Sequence, residues 1–393
     1  MLQNKVPNVR FCKYLDIWKT TKLNKITEII GGGTPDTKQF SYWNGGINWF
    51  SPTEVGKTVY LTKSEKTISQ LGLQKSSAKL LPAFKTILFT SRAGIGDVGI
   101  ITEESATNQG FQSLVVNEET DVYFLYSYSD QIKKYALKHS AGSTFLEISG
   151  KELGKMDLSI PSLPEQSAIG SLFCTLDDLL ASYKDNLTNY QSLKATMLSK
   201  MFPKAGQTVP EIRLYGFEGE WEEKEFIKIV NRVTESSDSD SLPKVEFEDI
   251  ISGQGKLNKD ISSKFDNRKG ILFKPGYTLY GKLRPYLNNW LLPKFEGVAL
   301  GDFWVFDPNG NNSDFIYYLV QSSRYQKVAN DTSGTKMPRS DWKSVSTTIF
   351  AIPQTIAEQQ AIGAYFSNLD NLINSHQEKI SQLETLKKKL LQD

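Results

Sequence analysis

The sequence predicts a mixed α/β protein: two globular α/β units, each followed by a long helix, arranged as a pseudo-twofold internal repeat. Three observations predict it. A stretch that opens with Ile-Pro and continues into a long helical pattern occurs twice, at Ile160–Pro203 and at Ile352–Asp393. Both copies carry the same seven-residue apolar period. Ahead of each copy, strand-like alternation gives way to a late helical segment.

The first copy reads IPSLPEQSAIGSLFCTLDDLLASYKDNLTNYQSLKATMLSKMFP. The second reads IPQTIAEQQAIGAYFSNLDNLINSHQEKISQLETLKKKLLQD. Each passes through Ile-Pro, Glu-Gln, Ala-Ile-Gly, a Phe and Leu-Asp, and from Glu165 and Glu358 onward they align at a constant offset of 193. The first seam runs Phe173, Leu176, Leu180, Tyr183, Leu187, Tyr190, Lys194, Met197, Met201. The second runs Phe366, Leu369, Ile373, His376, Ile380, Leu383, Lys387, Leu390. Steps of three and four are those of a coiled coil. One charged residue interrupts each seam at the same place, Lys194 and Lys387, and a polar seam residue can fix register at some cost in stability.

The duplication extends beyond the helices. Val6–Phe11 (VPNVRF) matches Val209–Leu214 (VPEIRL), and Trp18 matches Trp221 at the same offset of 203. Gly142 and Gly334 each lie 19 residues before the Pro of Ile-Pro. The expected divisions are therefore 1–159, a first globular unit with a short N-terminal lead; 160–203, the first long helix; 204–351, a linker and the second unit; and 352–393, the second helix.

Within the first unit, Ile29–Pro35 (IIGGGTP) is glycine-rich, but no Gly-Lys-Ser/Thr follows, so it reads as a turn rather than a phosphate cradle. Thr86–Arg92 (TILFTSR) alternates like a strand and turns through Ala93–Asp97 into a second. Thr107–Val116 is a polar loop feeding another strand, and Tyr123–Leu137 reads as a helix. Pro203, Gly206 and Pro210 mark the linker. In the second unit Ser236–Ser241 is expected as a flexible acidic loop. Tyr277–Pro285 is expected as a strand with Thr278, Tyr280, Lys282 and Arg284 on one face. Gly297–Phe306 follows as a more buried strand, and Ser313–Ala329 as a helix capped by Ser313.

Composition narrows the class. Hydrophobic residues make up 39% and aromatics 11%, enough for real cores, with a mean hydropathy of −0.37. No run approaches the roughly 18 apolar residues of a membrane span. The N-terminus lacks an apolar signal core, so a cytoplasmic location is expected. Cys12 and Cys174 suit a reducing compartment and behave as small hydrophobes. The net charge is only +2, but residues 57–92 carry a balance of +6, 256–294 of +7 and 218–249 of −7. One basic stretch per half suggests a polyanion touched at two places.

GGGTP…YWNGGINWF, ILFTSRAGIGDVGI, NQGFQS and GSTFLEIS in the first half, and EWEEKEF, GKLRPYLNN and SGTKMPR in the second, together with the doubled IP…EQ…AIG…F…LD helices, carry a resemblance. The chain resembles the specificity subunit of a type I restriction-modification enzyme over nearly its whole length. The resemblance implies that the globular units are target recognition domains, each reading one half of a split duplex DNA site. It implies that the long helices form an antiparallel coiled coil that spaces them. It also implies partners: two modification (methyltransferase) subunits and, through them, restriction (endonuclease and translocase) subunits.

No catalytic set is visible. Two histidines, His139 and His376, cannot supply a metal cluster, and His376 reads as a seam residue. Pro35-Asp36 lacks the carboxylate-x-Lys of a nuclease. The Asn/Asp-Pro-Pro-Tyr/Phe signature of an adenine methyltransferase is absent, and Asp307-Pro308-Asn309 reads as a turn. No metal or cofactor is expected.

DNA contacts are expected from Arg and Lys, which donate to guanine, and from Asn and Gln, which match adenine, placed on loops or strand ends. The candidates are Arg92, Asn108 and Gln109 in the first half, and Lys282, Arg284, Asn289, Lys336 and Arg339 in the second. Tyr280, Tyr286 and Trp290 are expected in the core rather than as stacking platforms. A helix of roughly 37 residues spans about 55 Å, enough to hold two readers about one DNA turn apart, roughly 34 Å, with an unread spacer between. The competing readings are a coiled-coil scaffold with no nucleic-acid role and the specificity portion of a self-sufficient enzyme.

Overall fold

The computed structural model describes residues 7, 9–92, 94–142, 146–261, 267–331 and 337–392. The chain forms two compact units, residues 1–183 with 379–393, and residues 184–378. Each unit therefore holds one globular α/β part, a segment of the first long helix (Leu163–Lys200) and a segment of the second (Ile356–Gln392).

In the first unit, a five-stranded sheet runs in the order Thr27–Gly31, Gln112–Val116, Thr86–Phe89, Val98–Ile101, Tyr60–Leu61. Its central strand, Thr86–Phe89, is buried throughout. Trp43–Phe50 sits between Lys66–Ile68 and Ser105–Thr107 in a second sheet. Lys19–Lys22 pairs antiparallel with Asp157–Ile160, closing the unit just before the long helix. The late helix is present as two pieces, Val122–Ser127 and Ser129–His139.

The second unit repeats this plan. Glu222–Glu225 pairs antiparallel with Ile349–Ile352, again just before a long helix. Thr278–Gly281 lies between Phe303–Asp307 and Trp290–Leu291. Four expectations need correction. The strand stops at Gly281, so Thr278 and Tyr280 face the core while Lys282 and Arg284 lie beyond its end. Gly297–Phe306 is two strands in different sheets, Gly297–Ala299 and Phe303–Asp307, because Gly301 turns the chain at φ +84°. The helix after Asn312 breaks into Ser313–Leu319 and Ser323–Ala329; Asn312, not Ser313, caps the first piece and Ser322 caps the second. Both caps accept a backbone N–H that a helix start leaves free. Ser236–Ser237, expected in a loop, pairs with Gly270–Ile271.

The repeated letters of the long helices now have physical meaning. Glu165 accepts Arg10 Nε at 2.6 Å and Nη2 at 2.7 Å, and Trp18 Nε1 at 3.3 Å. Glu358 accepts Arg213 Nε at 2.7 Å and Nη2 at 2.8 Å, and Trp221 Nε1 at 3.1 Å. Both carboxylates are buried. Such a charge is tolerated only when paired and hydrogen-bonded, and the bidentate fork supplies both. The neighbouring glutamines tie the helix to the globular part. Gln166 accepts the N–H of Asp121, and Gln359 that of Asn312, the residues that cap the late helices. The glycines let those caps approach: a Cβ on Gly170 would lie 2.5 Å from Asp121 Oδ1, and one on Gly363 2.9 Å from Asn312 Oδ1.

Leu-Asp supplies the next layer. Tyr123 donates to Asp177 at 2.9 Å and Tyr318 to Asp370 at 2.8 Å. Burial first, and then the adjacent carboxylate, pushes both phenols far up, so they remain donors. Each aspartate also meets the lysine of the opposite seam: Lys387 pairs with Asp177, and Lys194 with Asp370 at 2.7 Å. Within the second unit Lys194 faces Asp370, Tyr190 meets His376 edge-on at 5.1 Å, and Phe202 stacks on Phe366 at 6.0 Å. Rising numbers on one helix meet falling numbers on the other, so the helices run antiparallel. The seam is a real interface. Phe173, Leu176, Leu180, Phe366, Leu369 and Ile373 are buried, whereas Leu187, Ile380 and Leu383 are half-buried where the helices leave the globular parts.

Glu358→Ala is expected to destabilise the second unit by about 3 kcal/mol, the low end for stranding one member of a buried ion pair. The low end applies because Arg213 keeps the carbonyls of Glu218 and Gly219. Thermal unfolding checks this, and a loss below about 1 kcal/mol would mean the pair is dispensable.

Candidate nucleic-acid interface

Both units end their central strand in the same way. Thr86–Phe89 continues through Thr90-Ser91-Arg92, and Thr278–Gly281 through Lys282-Leu283-Arg284. The two arginines correspond at an offset of 192, a match visible in the sequence once TILFTSR is laid on TLYGKLR.

In the first unit this segment is pinned on both sides. The Ser91 N–H donates to Gly110 O at 2.8 Å, and Ile148 N–H donates to Ser91 O at 3.1 Å. Arg92 bridges Glu147 through the backbone. Thr90 Oγ1 donates to Gly94 O and accepts the Asp97 N–H at 2.8 Å, closing the turn. Asn108 and Gln109 sit beside this segment in the loop that leads to Gly110. Asn108 Oδ1 accepts Gly110 N–H at 2.8 Å, and Gln109 Oε1 accepts Thr34 Oγ1 at 2.5 Å. The glycine-rich stretch packs against the same loop. Gly33 N–H donates to Thr107 O, and a Cβ on Gly32 would fall 1.9 Å from Asn108 O. Arg92, Asn108 and Gln109 thus share one end of the sheet.

In the second unit Lys282 N–H donates to Asp302 O, Arg284 N–H to Pro338 O at 2.7 Å, and Ser340 N–H to Lys282 O. Leu283 and Arg339 form a bridge. Lys282, Arg284 and Arg339 are therefore brought together. Asp302 lies between two of the cations, 3.8 Å from Lys282 Nζ and 2.9 Å from Arg339 Nη2. Arg284 is exposed and left-handed, φ 48° and ψ 61°, directly before the buried Pro285. That backbone is costly for a residue with a Cβ, and more so before proline. Strain of this kind persists where the surroundings impose it and collects at functional sites. Neither the Arg92 nor the Arg284 guanidinium takes part in an ion pair or side-chain hydrogen bond among the described residues.

The other candidates separate. Asn289 is 4% exposed and donates to Phe247 O at 3.2 Å, so it braces the turn from inside rather than lying on the surface. Lys336 lies outside the described residues. Tyr280 and Trp290 are core residues, and burial pushes the Tyr280 phenol up to about 12. Tyr286, expected in the core, is exposed instead. The basic stretch 256–294 is partly neutralised by the acidic stretch before it: Lys259 meets Asp249 at 2.7 Å and Arg268 meets Glu246 at 2.6 Å. No local pattern marks Asp302 as the carboxylate that orders the second cluster. Among the described residues no group of His, Cys, Asp and Glu could hold a metal ion, and no helix is long and apolar enough to cross a membrane.

The family model for the type I restriction modification DNA specificity domain matches twice, at residues 16–189 and 224–385. The chain belongs to that family. It is similar to the type I restriction enzyme MjaIX specificity subunit of Methanocaldococcus jannaschii, 25% identical, with 95% of this chain and 91% of that protein covered. The EcoR124I/EcoR124II specificity subunit of Escherichia coli is 30% identical over 43% of each chain. A crystal structure of the type I restriction-modification system S subunit from M. genitalium shares the fold, with a TM-score of 0.60, 14% identity, and 98% of this chain and 96% of that chain covered. Each match to the specificity-domain model spans one arginine-bearing strand end and the first part of one long helix.

Asn289→Ala should lower the thermal stability of the second unit by about 1 kcal/mol through the lost hydrogen bond. It should leave the salt slope of duplex binding unchanged. A changed slope would put Asn289 at the interface.

Proposed function

We propose that this specificity subunit is non-catalytic and reads a split duplex DNA site, one half per globular unit, for methyltransferase and restriction subunits that it recruits. The observation that carries the reading is the pair of equivalent arginines, Arg92 and Arg284, each on a braced strand end and each with a guanidinium that is unpaired among the described residues. A free guanidinium on a rigid support can meet guanine O6 and N7 bidentately, or a phosphate. Asn108 and Gln109 beside Arg92, and Lys282 and Arg339 beside Arg284, supply the remaining donors. The exchangeable modules are residues 15–159 and 215–351, and the paired helices set the unread spacer.

Binding of the complex with modification subunits to its own duplex tests the reading. Arg284→Ala should weaken binding at the second half-site by about 1–3 kcal/mol if it reads a base. A phosphate contact would instead weaken all sequences alike and reduce the salt slope by about one unit. Unchanged affinity and slope would remove Arg284 from the site. Arg92→Ala should act in the same way on the first half-site.

Replacing residues 15–159 with the matching region of a relative should change one half of the methylated sequence and leave the other half and the spacer alone. Genome-wide sequencing of methylated sites decides this. A change in both halves would show that the units do not read independently.

A further inference from the structure

The turn that carries Arg284 also carries an aromatic side chain with no partner in the fold. Tyr286 is 57% exposed, and among the described residues it makes no hydrogen bond and no ring contact. It sits in the middle of the short helical turn Pro285–Leu287. Both residues flanking that turn are left-handed, Arg284 at φ 48° and Asn288 at φ 54°. Two such residues with a Cβ, so close together, are costly, and the surroundings must impose them.

The surroundings do so from every side. Pro285 is buried beneath the tip. Leu287 N–H donates to Arg284 O at 2.8 Å, and Asn288 N–H to Pro285 O at 2.9 Å. Gly253 N–H donates to Asn288 O at 2.9 Å, and Ser252 Oγ donates to Leu287 O. On the other flank Pro338 O accepts Arg284 N–H. The turn is therefore held without help from its two exposed side chains, one a cation and one a ring. The first unit differs here. At the offset of 192 that relates Arg284 to Arg92, Tyr286 corresponds to Gly94, at φ 110°. Its turn closes through Thr90 Oγ1, which donates to Gly94 O. Each unit presents an arginine at its strand end, and the second adds a ring two residues on, where the first has no side chain.

We infer that Tyr286 is a specificity-determining residue whose ring reads the base pair next to the one met by Arg284, by apolar contact with a thymine methyl group. The inference rests on the DNA-reading function proposed above. A guanidinium that meets guanine O6 and N7 does so in the major groove. A ring fixed two residues away on the same rigid turn enters that groove with it. There the thymine 5-methyl is the apolar group that base edges display. A tyrosine ring turns on only two side-chain torsions, so covering a methyl with it costs little conformational freedom. Its hydroxyl, at the far end of the ring, stays in water. Wedging a ring between base pairs belongs to minor-groove binding, and the test separates the two.

The complex with modification subunits is titrated by fluorescence anisotropy against a duplex carrying its own target, taken from genome-wide sequencing of methylated sites. In the half-site that Arg284→Ala affects, thymines are replaced one at a time by uracil, which removes only the methyl. At one position the wild type should bind about fourfold more weakly, the worth of one buried methyl-sized group. That loss should vanish in Tyr286→Ala and persist in Tyr286→Phe, both at unchanged melting temperature. Uracil in the other half-site should act alike on wild type and both variants. A half-site without thymine, a wild type indifferent to every uracil in it, or a uracil effect that survives in Tyr286→Ala would each overturn the inference. A wedge would give the second of these results together with weaker binding by Tyr286→Ala. Loss of binding in Tyr286→Phe as large as in Tyr286→Ala would assign the contact to the hydroxyl and equally overturn it. If Arg284→Ala weakens binding and Tyr286→Ala does not, the DNA reading stands and Tyr286 leaves it. If the wild-type complex prefers no duplex sequence, both fall.

Discussion

A buried carboxylate at the start of each long helix organises this molecule. Glu165 and Glu358 are charges taken out of water, and each is held by an arginine fork and an indole N–H from a segment about 150 residues earlier. The arrangement is stable only if all three groups arrive together, since an unpaired buried charge costs far more than the pair gains. The chain is thereby obliged to bring its N-terminal lead, the closing strand pair and the helix start to one point in each unit. The glutamine and glycine that follow extend the junction to the late helix, one by hydrogen bonding its cap and the other by making room for it.

Helix register rests on a second, half-buried charge. A lysine in an apolar seam is unfavourable by itself, but Lys194 and Lys387 each reach an aspartate on the opposite helix. Slipping the helices by one heptad would keep apolar residues facing one another and would strand both ions. The polar pair thus selects one register where leucines alone would allow several. Each aspartate also accepts a tyrosine hydroxyl from the globular part of its unit on its other oxygen, so register and the seating of that part are set by the same carboxylate.

The candidate interface follows from where the sheets end. Backbone hydrogen bonds on both sides hold the segment after each central strand, which leaves its side chains to project without having to hold the loop. In the second unit the acidic partner Asp302 absorbs two of three cations, and the third, Arg284, is held in a strained backbone with no ion pair among the described residues. Local charge balance in the sequence overstated the basic surface, because Glu246 and Asp249 fold back onto Lys259 and Arg268.

The sequence by itself determined the duplication, the two long helices, their seams and the family. These rest on short-range periodicity and on matched letters at constant offsets, which survive without knowledge of packing. It also marked Arg92 and Arg284, whose equivalence shows in the sequence once the two strand ends are aligned. Only the tertiary structure decided why the repeated letters are there: Glu165 with Arg10 and Trp18, or Lys387 with Asp177, are contacts between residues far apart in the chain, and no local pattern encodes their pairing. It decided that Asn289 faces inward, that Lys282 and Arg284 lie past the strand end, and that the strand expected at Gly297–Phe306 is two. In each case burial and backbone turns, set by neighbours distant in sequence, overrode alternation that was legible locally.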